Sequence, residues 1–190
     1  VNTTLLDAFK ATYSGEDNFQ IKRFILAHEI LFAMEGIPAI YIQNLVGSKN
    51  DYKKVKKTNV YRSINRKEWT INELLKLFNK NSINKKIYLA ITKLIKIRGN
   101  QKAFHPNATQ FTLQLHQNLF GIWRQSLDRS QSIFCINNLS GRKQTFSLLD
   151  INLISTNKWY DLLTKKSVKD LTSNITLMPY QSVWLTNKKN

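Results

Sequence analysis

Cysteine is almost missing from this sequence: Cys135 stands alone among 190 residues. An internal disulfide is excluded, which suits a reducing compartment, and the apolar run SIFCIN around it reads as a buried small hydrophobe rather than a nucleophile. No apolar run approaches the roughly 18 residues that a membrane helix needs. The first residues, VNTTLLDAFK, lack the charged-then-apolar order of a signal peptide, so neither membrane nor export is expected and a cytoplasmic location is. Metal ligation has little to work with, because His28, His105 and His116 fall at no ligand spacing and Cys135 has no partner cysteine. A glycine-rich phosphate loop and a G-x-S-x-G elbow are both missing.

Acidic residues are scarce as well, 12 against 29 lysines and arginines, giving a formal net charge of +17 and a pI near 10.0. Such a balance raises a polyanion partner, since clustered cations gain from counterion release on nucleic acid. The lysines, however, fall in short runs in unrelated segments, Lys53, Lys54, Lys56 and Lys57 in one and Lys85 and Lys86 in another. They form no single stripe, so solvated basic faces are the expectation and nucleic-acid binding is not.

What is present is enough for a core: 42% of residues are hydrophobic and 11% aromatic. The stretch from Asp17 to Arg66 organises the rest. Asp17 with Gln20 reads as a capping box, and the run FQIKRFILAHEILFAME keeps apolar residues at helical spacing. Gly36 is placed as the residue that ends this helix, with Pro38 barring its continuation. The run IPAIYI, Ile37 to Ile42, does not alternate with polar residues and predicts a strand buried on both faces. A polar segment then runs from Gln43 to Arg66. Beyond it, Thr70 and Glu73 predict a second capping box opening the helix INELLKLFNK. A longer helix from Asn84 to Arg98 follows, with Ile87, Ile91, Leu94 and Ile95 on one face and Gly99 as its terminator.

The pattern changes near Gln101. From there FTLQL, LFGIWRQ, SIFCIN, QTFSLL, KWYDLL, NITLM and SVWLT follow one another between polar clusters, predicting an antiparallel β domain of six to eight strands. In the last of them Val183 and Leu185 are expected to face inward.

The sequence EGIPAIYIQNLVGSKNDYKKVKKTNVYRSINR resembles the last helix, last strand and following loop of the barrel in sucrose phosphorylases and their relatives, including glucosylglycerate phosphorylases. These are glycoside phosphorylases of the α-amylase superfamily. VNTTLLDAF, AFHPNATQ, WRQSLDRSQSIFCINN and MPYQSVWLTN extend the resemblance over essentially the whole chain. It implies an α/β plus all-β fold: the closing part of a (β/α)8 TIM barrel over residues 1–100, then an antiparallel β-sandwich over residues 101–190. It implies a glycosyltransferase of carbohydrate metabolism that moves glucosyl from sucrose or a related α-glucoside to phosphate, with no metal or organic cofactor. The arginine of the family's G-R-x-I-N-R type motif, which helps hold the glucosyl unit, falls on Arg62, and Tyr61 stands where many relatives have glycine. Asn65 and Arg66 are read as supports of the same loop.

A retaining enzyme of this kind needs two carboxylates about 5 Å apart. Glu29 and Glu35 lie on a helix and the other acids in loops or the β region, so no such pair is expected here. In the family those groups come from earlier barrel strands, and the isolated fragment is expected to be inactive and, with open strand edges, prone to aggregate. The competing reading is a noncatalytic β module binding glycan or nucleic acid, with Trp123, Trp159 and Trp184 as a platform. Aromatics of a sandwich core are the plainer expectation for those three residues.

Overall fold

The computed structural model describes residues 2–79, 81–151, 154, 156, 158–168, 172 and 174–188. Val1, Lys80 and Asn190, which fall within segments read above, lie outside them. In order the elements are α1 (Leu5–Ala8), β1 (Ala11–Thr12), β2 (Gly15–Glu16), α2 (Gln20–Ala33), α3 (Ile42–Leu45), α4 (Tyr52–Thr58), a 3-10 turn at Tyr61–Asn65, α5 (Ile71–Asn79) and α6 (Ile83–Gly99). A second 3-10 turn at Lys102–Phe104 leads to β3 (Thr109–Leu113), β4 (Leu119–Gln125), β5 (Ser132–Asn138), β6 (Gln144–Ser147), β7 (Trp159–Asp161), β8 (Lys166–Val168), β9 (Asn174–Leu177) and β10 (Ser182–Thr186). Two compact units result, Val1–Ile25 with Ala39–Lys93, and Leu26–Pro38 with Leu94–Asn190.

In the first unit Leu6, Phe24, Val46, Ile87 and Ile91 are buried. The entry to α2 differs from the capping box expected there. Asp17 accepts from the Phe19 N–H at 2.8 Å, while the Gln20 side chain donates to the Leu6 carbonyl at 2.9 Å instead of reaching back. Both Asp17 oxygens are also held by the Arg23 guanidinium at 2.8 Å, which lowers the Asp17 pKa. The expected box at α5 does form: Glu73 N–H donates to Thr70 Oγ1 at 3.2 Å, and Glu73 accepts from the Thr70 N–H at 2.9 Å. Gly47, at φ 59°, sits so close to α6 that a Cβ there would lie 2.6 Å from Ile87 Cδ1.

Residues 37–41 form no strand. Tyr41 is extended, but Ile37 is 84% exposed and Tyr41 50%. An extended segment becomes a strand only when a neighbour takes its N–H and C=O groups, and no described strand lies beside it. Apolar content alone was therefore misleading here.

The second unit carries a six-stranded antiparallel sheet in the order β3-β4-β5-β10-β7-β8 and a separate β6-β9 pair. Its core gathers Phe134, Ile136, Val183 and Leu185 from the sheet with Phe146 and Leu177 from the pair, so Val183 and Leu185 do face inward. Trp184, on the other face of β10, is fully buried edge-on against Phe104, with ring centroids 4.9 Å apart. Trp159 is 2% exposed. Those two tryptophans are core residues and cannot serve as a platform, while Trp123 is half-buried and stacked on Phe111 at 4.8 Å. Cys135 is fully buried, and that burial pushes its thiol pKa up, away from nucleophilic reactivity.

Past the carbonyl end of α2, which closes at Ala33, Gly36 takes φ 82° three residues beyond the helix and not as the residue that ends it, and its N–H donates to the Pro106 carbonyl at 3.2 Å. The orphan carbonyls there are filled by arginines that sequence periodicity did not single out. Arg98 donates to the carbonyls of Phe32, Met34 (3.0 Å) and Gly36 (2.7 Å). Arg124 donates to those of Ala33 (2.9 Å), His105 (3.0 Å) and Ala108 (3.2 Å). On α6 the buried stripe is Ile87, Ile91, Leu94 and Arg98, whereas Ile95 is 43% exposed because it sits one residue, about 100°, around the helix. Gly99 is the last helical residue without a positive φ.

Two outcomes follow from this packing. Arg98→Met leaves three carbonyls without their donor and is expected to destabilise the chain by about 2–4 kcal/mol, since hydrogen bonds to charged groups contribute about 1.5–3 kcal/mol each and do not add fully. A urea midpoint within error of a Lys96→Met control would overturn this. Gly47→Ala should destabilise by about 2 kcal/mol from strain and overpacking together. Combining it with Ile87→Val, which removes the clashing methyl, should recover part of that loss; strict additivity in a double-mutant cycle would show the contact to be harmless.

Candidate functional site

The 3-10 turn that carries Arg62 is fixed by its backbone and by its neighbours. Ser63, 6% exposed, donates from Oγ to the Val60 carbonyl at 2.6 Å. Asp51 N–H donates to the Ile64 carbonyl at 2.8 Å, tying the turn to the start of α4. Tyr41 Oη donates to the Asn65 carbonyl, and Asn65 Nδ2 donates to the Thr3 carbonyl, both at 3.3 Å. Arg66 takes part through its carbonyl, which accepts from Lys54 Nζ at 2.7 Å. Asn65 and Arg66 thus brace the loop. Arg62 itself is exposed, and no described residue is hydrogen-bonded to its guanidinium or paired with it. A planar fork on a held backbone can present two parallel donors to a sugar diol or a carboxylate.

Beside this turn α4 borders a cavity of about 1140 Å³, which Arg62 does not line. Its wall includes Lys49, Lys53, Lys54, Lys57 and Lys67 and the carboxylates Asp51, Glu68 and Glu73. Each carboxylate is already engaged. Asp51 caps α4 by accepting from the Lys54 N–H at 2.9 Å. Glu68 accepts from Lys54 Nζ at 2.6 Å, and that bond is the main cause of its lowered pKa. Glu73 is held below its ordinary value first by the Thr70 backbone bond. Neither Glu68 nor Glu73 is tuned as a general acid, which requires a raised pKa.

Ser48, Lys67 and Trp69 of the cavity wall join Gln43, which lies outside it, in a polar cluster that periodicity does not reveal. Trp69 Nε1 donates to Gln43 Oε1 at 3.0 Å and to Ser48 Oγ at 3.2 Å. Gln43, 4% exposed, donates from Nε2 to the Lys67 carbonyl at 2.6 Å. Lys67 Nζ lies 3.8 Å from the centroid of the Trp69 ring. The cluster pins the segment after α3 to the segment before α5, and so fixes both ends of the loop that holds Arg62. His28 is buried within α2, at 2% exposure. Among the described residues no group of three or more His, Cys, Asp or Glu could hold a metal ion, and no helix is long and apolar enough to cross a membrane.

No protein-family model matches the sequence. The chain is 31% identical over 187 residues to a glucosylglycerate phosphorylase of Escherichia coli (strain K12), a match covering 97% of this chain and 32% of that protein. It is 32% identical over 94 residues to a sucrose 6(F)-phosphate phosphorylase of Thermoanaerobacterium thermosaccharolyticum, covering 50% of this chain and 18% of that one. It therefore spans about a third or less of the curated relatives it matches. Among solved structures, that of AmyP in complex with maltose superposes with a TM-score of 0.70 at 16% identity, covering 88% of this chain and 35% of the other. Sequence likeness along nearly all of its length, together with a fold shared with α-amylase-family enzymes, makes this chain a C-terminal portion of the sucrose-phosphorylase-like glycoside phosphorylases of the α-amylase superfamily.

Proposed function

We propose that these 190 residues complete a retaining α-glucoside phosphorylase that transfers glucosyl from a donor such as glucosylglycerate or sucrose to phosphate, giving α-glucose 1-phosphate. The observation that carries this reading is the 97% coverage of the chain by a glucosylglycerate phosphorylase. In this reading residues 1–100 close the (β/α)8 barrel and residues 101–190 form the β-sandwich that follows. The exposed apolar residues Ile37, Tyr41 and Ile42 are what a barrel strand would present before its neighbours are in place. The enzyme works in the cytoplasm on small molecules and needs no cofactor.

The reaction breaks the donor's anomeric C–O bond while a carboxylate takes the glucosyl carbon. A second carboxyl group protonates the leaving oxygen, and phosphate then displaces the first carboxylate with overall retention. Both carboxyl groups belong to chain outside these residues. Arg62 supplies the fork that holds the glucosyl unit, and its support comes from its outward guanidinium on a turn braced by Ser63, Asn65 and Asp51. With no catalytic carboxylate pair of its own, the 190-residue chain is inactive.

The test is release of α-glucose 1-phosphate from glucosylglycerate and from sucrose, measured for this chain and for the longest in-frame product that contains it. Activity is expected from the long product alone, and phosphorolysis by the 190 residues would overturn the assignment of the carboxyl groups. In the long product Arg62→Gln should lower kcat/KM by roughly 10- to 100-fold, the equivalent of one charge-assisted bond of about 1.5–3 kcal/mol. An unchanged kcat/KM would remove Arg62 from the glucosyl site.

A further inference from the structure

We propose that Asn50 is a positioning residue for Arg62, working through Thr3; this rests on the reading of Arg62 as a holder of the glucosyl unit. The chain from Asp51 to Ile64 carries α4 and most of the 3-10 turn, and its two ends meet where Asp51 N–H donates to the Ile64 carbonyl at 2.8 Å. The residues flanking this closed segment, Asn50 and Asn65, both reach back to Thr3. The Thr3 hydroxyl donates to Asn50 Oδ1 at 3.2 Å and accepts from Asn50 Nδ2 at 3.1 Å, while the Thr3 carbonyl accepts from Asn65 Nδ2 at 3.3 Å. One residue, distant in sequence from both asparagines, clasps the loop at its start and at its end.

Asn50 is the more tightly held of the two. Its Oδ1 also accepts from the Thr4 N–H, its own N–H donates to Asp7 Oδ2, and Nδ2 reaches Tyr52 Oη at 3.4 Å. Both lone pairs and both amide hydrogens are thus engaged within the chain, so the side chain has no capacity left for a ligand and acts on the site only through what it holds. The far end of the clasp is itself anchored, because Asp7 N–H donates to Thr4 Oγ1 and Leu6 of α1 is buried at 2% exposure. Fixed structure therefore runs from α1 through Thr3 and Asn50 to Asp51, across to Ile64, and so to Arg62 two residues before it. A displacement of about 1 Å in a group that orients substrate can cost on the order of 100-fold in rate, so a clasp of this kind sets the value of the guanidinium it supports. The loss on opening it is bounded by the loss of Arg62 itself.

The experiment is phosphorolysis of glucosylglycerate and of sucrose by the longest in-frame product that contains this chain, each variant being assayed below its own melting temperature. Asn50→Ala is expected to lower kcat/KM by roughly 5- to 20-fold, in the same parameter, kcat or KM, that carries the Arg62→Gln loss. Placed in the Arg62→Gln background it should cost less than about two-fold, because the group it positions is gone. Thr3→Val removes the hydroxyl but leaves the carbonyl to Asn65; it should show the same pattern at smaller amplitude, and it decides the matter if Asn50→Ala does not fold. Asn138→Ala, which removes buried amide bonds to the carbonyls of Arg142 and Met178 in the other unit, should lower the melting temperature and leave kcat/KM within about two-fold. Losses that multiply in the Asn50→Ala/Arg62→Gln pair, an Asn50→Ala loss larger than that of Arg62→Gln, or no loss at all overturn the positioning role while the reading of Arg62 stands. An unchanged kcat/KM in Arg62→Gln overturns that reading and this inference with it.

Discussion

Two arginine side chains on one helix end hold the second unit together. The last turn of α2 leaves carbonyls without intrahelical donors, and the helix dipole gathers partial negative charge there. Arg98 and Arg124 bring guanidinium groups to that end, and both lie over Phe104, at 5.5 and 5.9 Å from its ring centroid. Neither forms a salt bridge with a described carboxylate, so carbonyls and ring take the place of a counterion. Burial lowers the pKa of each, and for Arg124 the charge of Arg98 lowers it further. Because Arg124 stands on β4 and Arg98 on α6, the same contacts fix the sheet and a helix to one point.

The first unit solves a similar problem with neutral groups. Asn50 accepts from the Thr4 N–H at 2.7 Å, and its own N–H donates to Asp7 Oδ2 at 2.6 Å, joining the segment around α1 to the start of the long polar loop. Asn84 Nδ2 donates to the carbonyls of Val46 and Gly47, both at 2.8 Å, so α6 grips the loop where the backbone turns left-handed. The loop is polar throughout, yet it is held at Asn50, Asp51, Ser63, Asn65 and Trp69. Its exposed side chains, Arg62 among them, can therefore face outward from a held backbone.

Local signals in the sequence were the legible ones. The Thr70–Glu73 box forms because both partners lie within one turn, and Gly36 takes a positive φ just past α2 because only its own conformation is at issue. The eight described strands of residues 109–186 fall within the expected six to eight, since seven of them coincide with the aromatic and β-branched runs between turn clusters, β8 being the one those runs do not contain. What was not legible depended on distant partners. Gln20 finds the Leu6 carbonyl rather than Asp17, and IPAIYI stays unpaired although its composition suits a strand. Arg98 could have been noticed, because it continues the stripe of Ile87, Ile91 and Leu94 at a spacing where a leucine would be expected. Its partners, the backbone carbonyls of Phe32 in α2 and of Met34 and Gly36 just past it, carry no side-chain signature at all. Arg62 was singled out only through resemblance, and the Gln43–Ser48–Trp69 cluster not even in that way.

The charge imbalance gains meaning once the acids are placed. Asp7, Asp17, Asp51, Glu73, Asp128 and Asp161 all accept backbone N–H bonds, and Glu16 and Glu68 are tied to lysines. Asp161 alone accepts from the N–H groups of Leu163, Thr164 and Trp184. For Asp17, Glu68, Glu73 and Asp128 the bonds they accept lower the pKa, so each is held in its ionised form and is a poor proton donor. In a chain with 12 acids and 29 basic residues, structure therefore takes up acids while many cations remain without a carboxylate partner. That division accords with the proposed role of Arg62, in which the chain's own contribution to a site is cationic.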